Sequence, residues 1–259
     1  MRFFLVSILA CIGLALPAWA SLKTQTLEYK QGDAVLEGYL AYDDSFRGKR
    51  PGILVVHEWK GLNDYAKRRA NMLAQLGYIA FAADIYGKGI RPQTIADAGA
   101  MAGKYKADRA LLRARVIAGL QTLKAQSRVD PAQLAAIGYC FGGTAVLELA
   151  RSGAGIKGIV SFHGGLSSPK PADALNIKAK VLILHGDADP FVKAEEVVSF
   201  EKEMTEARVN YQLIKYPGAM HGFSNPENKG VPPGALYNEA ADQASWSEMK
   251  KFFKRLFRP

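Results

Sequence analysis

Residues 24–30 and 34–42 alternate polar and apolar side chains around Gln31-Gly32-Asp33, the period-two pattern of an antiparallel hairpin. The pattern then changes. Residues 52–56 (GILVV) form an unbroken β-rich run that suits a strand covered on both faces, and further strands are expected at 78–83, 134–139, 156–162, 180–184 and 209–216. Between them, helical spacing predicts helices over 63–76, 95–102, 108–125, 144–151, 194–207 and 238–257. In 108–125 the apolar stripe is Leu111, Leu112, Val116, Leu120 and Leu123. Strands alternating with helices imply an α/β fold: a mostly parallel twisted sheet, helices on both faces, and the hairpin as an N-terminal antiparallel addition. Three irregular stretches, 86–94, 161–179 and 217–235, each follow or end an expected strand, where open α/β sheets carry their binding loops. With no internal repeat and no shift of composition, residues 21–259 read as one domain.

Residues 1–20 read as an address. Met1-Arg2 gives a positive start, residues 3–16 are almost wholly apolar, Pro17 breaks the run, and Ala18-Trp19-Ala20 puts small residues before the expected cleavage point. That is the layout of a secretory signal peptide, so a periplasmic or secreted mature chain beginning at Ser21 is expected. The apolar run is shorter than the roughly 20 residues of a spanning helix, so no stable membrane insertion is expected after cleavage. A membrane anchor is the competing reading, and lipidation of Cys11, which needs an unusually short signal, is a further one.

Composition narrows the classes. At 259 residues, 49% hydrophobic and 22% charged, the chain is neither collagen-like nor disordered, and two cysteines cannot build a disulfide framework. Loss of the first 20 residues removes Cys11 and leaves Cys140 as the one thiol. The formal charge of +10 would become +9 with the loss of Arg2. The bases are scattered, as in Lys67-Arg68-Arg69 and Lys250-Lys251, which reads as solvated helix faces; no nucleic-acid partner is expected. The four histidines stand singly, without zinc-like spacing, so no metal and no cofactor is expected.

The chemistry gathers at strand ends. Gly138-Tyr139-Cys140-Phe141-Gly142 lies between a strand and a helix, a nucleophile elbow with Cys in place of Ser. The turn exposes the side chain, its glycines allow close approach, and the helix N-terminus favours a thiolate. After the strand at 180–184 come Asp187 and Asp189; after the strand at 209–216 comes His221. Nucleophile, acid, histidine is the chain order of a triad on this kind of sheet. Of the two acids Asp189 is preferred, because Pro190 and the apolar pair after it mark a loop turning to the next helix. His57, His163 and His185 read as packed or hydrogen-bonded near strand ends.

Together with residues 56–62 (VHEWKGL), 83–87 (ADIYG), 186–192 (GDADPFV) and 221–223 (HGF), the elbow makes the chain from about residue 27 to 257 resemble the dienelactone hydrolase family of the α/β-hydrolase fold. The resemblance implies an ester or lactone hydrolase with Cys140 as nucleophile, His221 as base and Asp189 as its orienting acid. It also implies that Glu58 contacts the resting thiol, and that the Phe141 and Trp59 N–H groups form the oxyanion hole. Tyr86, Lys88, Arg91, His163 and Phe223 are the expected substrate-contacting side chains. The family's carboxylate-gripping arginine after the catalytic histidine is missing here, where Phe223-Ser224-Asn225 follows His221-Gly222. A small-molecule ester or lactone is therefore the expected partner of a monomer or weak homodimer. Two other classes stand beside this one: a non-catalytic exported ligand-binding or thiol-redox protein on the same scaffold, and a charge-driven binder of anionic surfaces.

Overall fold

The hairpin forms as the alternation predicts: β1 (Leu22–Gln31) and β2 (Ala34–Asp43) pair antiparallel through a turn at Gly32, whose φ is +56°. The computed structural model describes residues 21–258, so the segment read as a signal peptide lies outside the described residues. β2 continues antiparallel onto β4 (Ile79–Ala83). From there the sheet is parallel, through β3 (Arg50–Val56), β5 (Val129–Tyr139), β6 (Gly158–Phe162), β7 (Lys180–Gly186) and β8 (Tyr211–Tyr216). The eight strands lie in the order β1-β2-β4-β3-β5-β6-β7-β8.

Among the described residues six helices cover both faces: α1 (Asp64–Gln75), α2 (Ile95–Ala107), α3 (Arg109–Lys124), α4 (Phe141–Arg151), α5 (Ala194–Glu206) and α6 (Glu239–Leu256). The unbroken apolar runs have a simple cause. In β3, Ile53 and Val55 join the core built by α1 and α6, while Leu54 and Val56 join the one built by α2 to α5. From Gly52 to Val56 no position meets water and none is polar, while Arg50 and Pro51 at the strand's start are partly exposed. Helix starts follow local chemistry: Asn63, Thr94, Asp108 and Asn238 each accept a backbone N–H from the first turn of the helix they precede, worth about 1 kcal/mol apiece.

The structure departs from the pattern in four places. β5 opens at Val129, five residues before the expected start, because Val129 and Asp130 pair with Arg50 and Pro51 before a register shift loops out the next three residues. Pro131 in that loop hides the strand from a periodicity reading. α2 runs on to Ala107, past the last expected residue, with Tyr105 buried in its final turn. α4 begins at Phe141, directly after the elbow, and the irregular stretch 161–179 contains a 3-10 turn at Pro171–Asn176. None of these moves the strand ends. The C-terminal ends of β3 to β8 lie along one rim, which is where Glu58, Cys140, His163, Asp189 and His221 are carried.

Candidate active site

Cys140 sits between β5 and α4 with φ 53° and ψ −113°, a backbone state that L-residues rarely adopt and that costs of order 1–3 kcal/mol. Glycines make the turn possible. A Cβ on Gly138 would lie 1.9 Å from the Gly142 carbonyl oxygen, and one on Gly142 would lie 2.2 Å from that of Val56. The Cys140 N–H is held from behind by two acceptors, the Phe162 carbonyl at 3.0 Å and His163 Nδ1 at 3.1 Å. Since His163 Nδ1 accepts, its proton is on Nε2 and is donated to Ser224 Oγ at 2.7 Å. Burial holds the His163 pKa well below its ordinary value, so this ring is a neutral prop for the elbow.

Cys140 Sγ, only partly buried, lies 3.0 Å from His221 Nε2, and His221 Nδ1 lies 2.8 Å from Asp189 Oδ2. The other Asp189 oxygen accepts the Phe191 N–H at 2.8 Å, which fixes the carboxylate. Three groups brought from the ends of β5, β7 and β8 thus form one chain of contacts. Burial alone would lower the His221 pKa; the sulfur and the Asp189 carboxylate outweigh it and raise it to about 10. The ring thus lies between the sulfur and the Asp189 carboxylate, a setting that favours its protonated form. Asp187 lies exposed in the preceding turn.

Glu58 follows β3 and is buried, but it does not carry out the contact expected of it. Its Oε2 accepts from Asn225 Nδ2 at 2.6 Å, whereas the hydrogen-bond partner of the sulfur is His221. Burial pushes the Glu58 pKa up to about 7, against the opposing hydrogen bond from Asn225. The neighbouring His57 has its pKa lowered to about 4, chiefly by burial. Its Nε2 accepts the Ile85 N–H and its Nδ1 donates to the Glu58 carbonyl at 2.6 Å, so it braces the two loops.

A cavity of about 350 Å³ opens above the sulfur, with Cys140, His221, Glu58, Asn225, Trp59 and Phe141 at its base. Phe141 is the first residue of α4, where a helix N–H has no intrahelical acceptor. The side chains expected to contact substrate lie elsewhere. Lys88 pairs at the surface with Glu28. Arg91 is spent on the carbonyls of Leu62 and Ile90. Tyr86 is buried and donates to the Trp59 carbonyl at 2.9 Å. His163 and Phe223 are wholly buried behind the elbow. All five follow strand ends, but none of their side chains is among those that line the cleft. The cleft wall comes instead from α2 and from residues 225–235. That helix carried a legible signal, its glycines at positions 99 and 103, spaced one turn apart.

An eight-stranded mostly parallel sheet with helices on both faces, carrying these groups on its C-terminal rim, defines the α/β-hydrolase class. A profile of the dienelactone hydrolase family matches residues 36–257, and the chain belongs to that family. Among solved structures it is similar to m3DLH, with 40% identity and a TM-score of 0.89, over 92% of this chain and 99% of the other. It is also similar to the dienelactone hydrolase-like promiscuous phosphotriesterase P91 from metagenomic libraries, with 38% identity and a TM-score of 0.87 over the same shares. A Bradyrhizobium protein named as a probable 2-oxo-3-(5-oxofuran-2-ylidene)propanoate lactonase is 30% identical over 210 residues, 77% of this chain and 82% of its own.

Proposed function

We propose that the chain is an exported carboxylic-ester or lactone hydrolase that works through an acyl-enzyme on Cys140. The observation that carries this reading is the unbroken series Asp189 Oδ2, His221 Nδ1, His221 Nε2, Cys140 Sγ, with links of 2.8 and 3.0 Å, facing an open cleft. The thiol proton passes to His221 as the sulfur attacks the ester carbonyl carbon. The carbonyl oxygen takes up the negative charge and is received by the N–H groups of Phe141 and Trp59. Collapse of this adduct breaks the ester C–O bond, and His221 returns its proton to the leaving alkoxide, so a thioester remains. Water then attacks the thioester. His221 takes a proton from it, the C–S bond breaks, and acid and free Cys140 are released.

Asp189 keeps the His221 ring in the tautomer and orientation that both halves require. Lactone ring opening is the same chemistry with acid and alcohol joined, which agrees with the name carried by the Bradyrhizobium relative. The test uses the purified chain from Ser21 onward with p-nitrophenyl acetate. Cys140→Ala is expected to lower kcat/KM by about 10³-fold or more, and Asp189→Asn by a smaller factor. Unchanged turnover in Cys140→Ala ends the proposal, and binding without turnover in the wild type favours the ligand-binding or redox role.

A further inference from the structure

Helix α2 contains two glycines that its packing does not need. Glycine is the poorest helix former after proline, and a helix keeps it where a neighbour comes too close for a Cβ. At Gly99 and at Gly103 a Cβ would meet nothing within 4 Å. Both face the cleft that holds Cys140 and His221, on a stripe with Ile95, Ala102 and Lys106. The helix thus leaves empty volume directly over the reacting groups, at the expense of its own stability.

Large apolar side chains also stand exposed at the rim. Ile95, Phe191 and Val231 are 47%, 50% and 68% exposed, and all three line the same cleft. The Phe191 ring stands edge-on to His221, 5.2 Å between centroids. Large apolar side chains gathered at the mouth of a pocket mark a surface that a ligand covers. The ionisable side chains of the lining other than Cys140 and His221 are Glu58, Lys60, Lys106 and Glu227, with no arginine among them. The lining therefore lacks the bidentate guanidinium fork that grips a carboxylate.

We infer that the trough between α2 and Phe191–Val231 binds a bulky uncharged apolar group of the substrate, and that Gly99 and Gly103 set the room available to it. This deepens the esterase reading and rests on it. The substrate class is then neutral esters or lactones with an extended hydrocarbon part, on the acyl or the alkoxy side, rather than small or carboxylate-bearing ones.

The test compares four esters in a pH-stat: methyl acetate, methyl hexanoate, hexyl acetate and monomethyl succinate. The wild-type chain is expected to favour one of the two hexyl-length esters over methyl acetate by about tenfold or more in kcat/KM. Gly103→Leu is expected to erase that preference, raising KM for the favoured hexyl-length ester far more than for methyl acetate. Gly99→Ala and Gly103→Ala guard against a folding defect in the leucine variant: both are expected to raise the melting temperature while weakening the long ester. Preference of the wild type for methyl acetate or monomethyl succinate overturns the inference and leaves the hydrolase standing. So does a uniform loss across all esters in the alanine variants. Absence of turnover on every ester removes the hydrolase reading, and this inference with it.

Discussion

Glu58 carries a pH signature of its own at the rim. Its folded pKa of about 7 lies above the ordinary 4.5. Between those values the unfolded chain gives up a proton that the folded chain keeps, so the contribution of this group to stability is full below 4.5 and is lost as pH rises through 7. The loss has an upper bound on the order of 3 kcal/mol. Glu58→Gln keeps an acceptor for Asn225 and cannot ionise. The stability advantage of wild type over this variant, measured by urea unfolding at a series of pH values, is expected to shrink from pH 4.5 to 8; parallel curves would show that Glu58 titrates normally. At this scale the sequence was informative about identity and less so about partners. Cys140, Asp189 and His221 could be named from motif and chain order because each follows a strand. That Glu58 meets Asn225 could not, since Asn225 lies 167 residues from Glu58 in sequence.

Among the elements, α4 does two jobs. Its N-terminus carries the elbow, and its C-terminal turn is tied to α5 by charge. Arg151, with no exposure, reaches Glu203 through Nε and Nη2, Glu148 through Nη1, and the Leu166 carbonyl. Arg113 adds a second cation on Glu148 and links it to Asp173. Removing one member leaves a buried carboxylate without a counter-charge, so Arg151→Leu is expected to cost about 3–5 kcal/mol by chemical denaturation. Replacing Arg151, Glu148 and Glu203 together by leucine is expected to recover most of that loss. A triple variant no more stable than the single one would mean that packing, not charge, holds this corner. The helices themselves were legible from apolar spacing and caps. The bulged start of β5 and the last turn of α2 were not, because the first depends on pairing with β3 and the second on burial of Tyr105.

For the molecule as a whole, the export signal and the rim are separate propositions. Expression of the full chain in a bacterium with an outer membrane is expected to yield a periplasmic protein whose first residue is Ser21, read by N-terminal sequencing; an intact Met1 on protein in the cytoplasm would overturn that expectation. Among the described residues no helix is long and apolar enough to cross a membrane. The order of strands and helices, the α/β class and the identities of the three groups in contact were fixed locally, by periodicity, by glycine at a strained turn and by acids and histidine placed after strands. The tertiary structure decided what the cleft is made of. Tyr86, Lys88, Arg91, His163 and Phe223 all follow strand ends, yet hydrogen bonds, ion pairing and burial turn them away from the cavity, while α2 and residues 225–235 close over it. Sequence position sets which rim a side chain starts from. Which way it then points depends on partners distant in the chain, and those meet only when the sheet has formed.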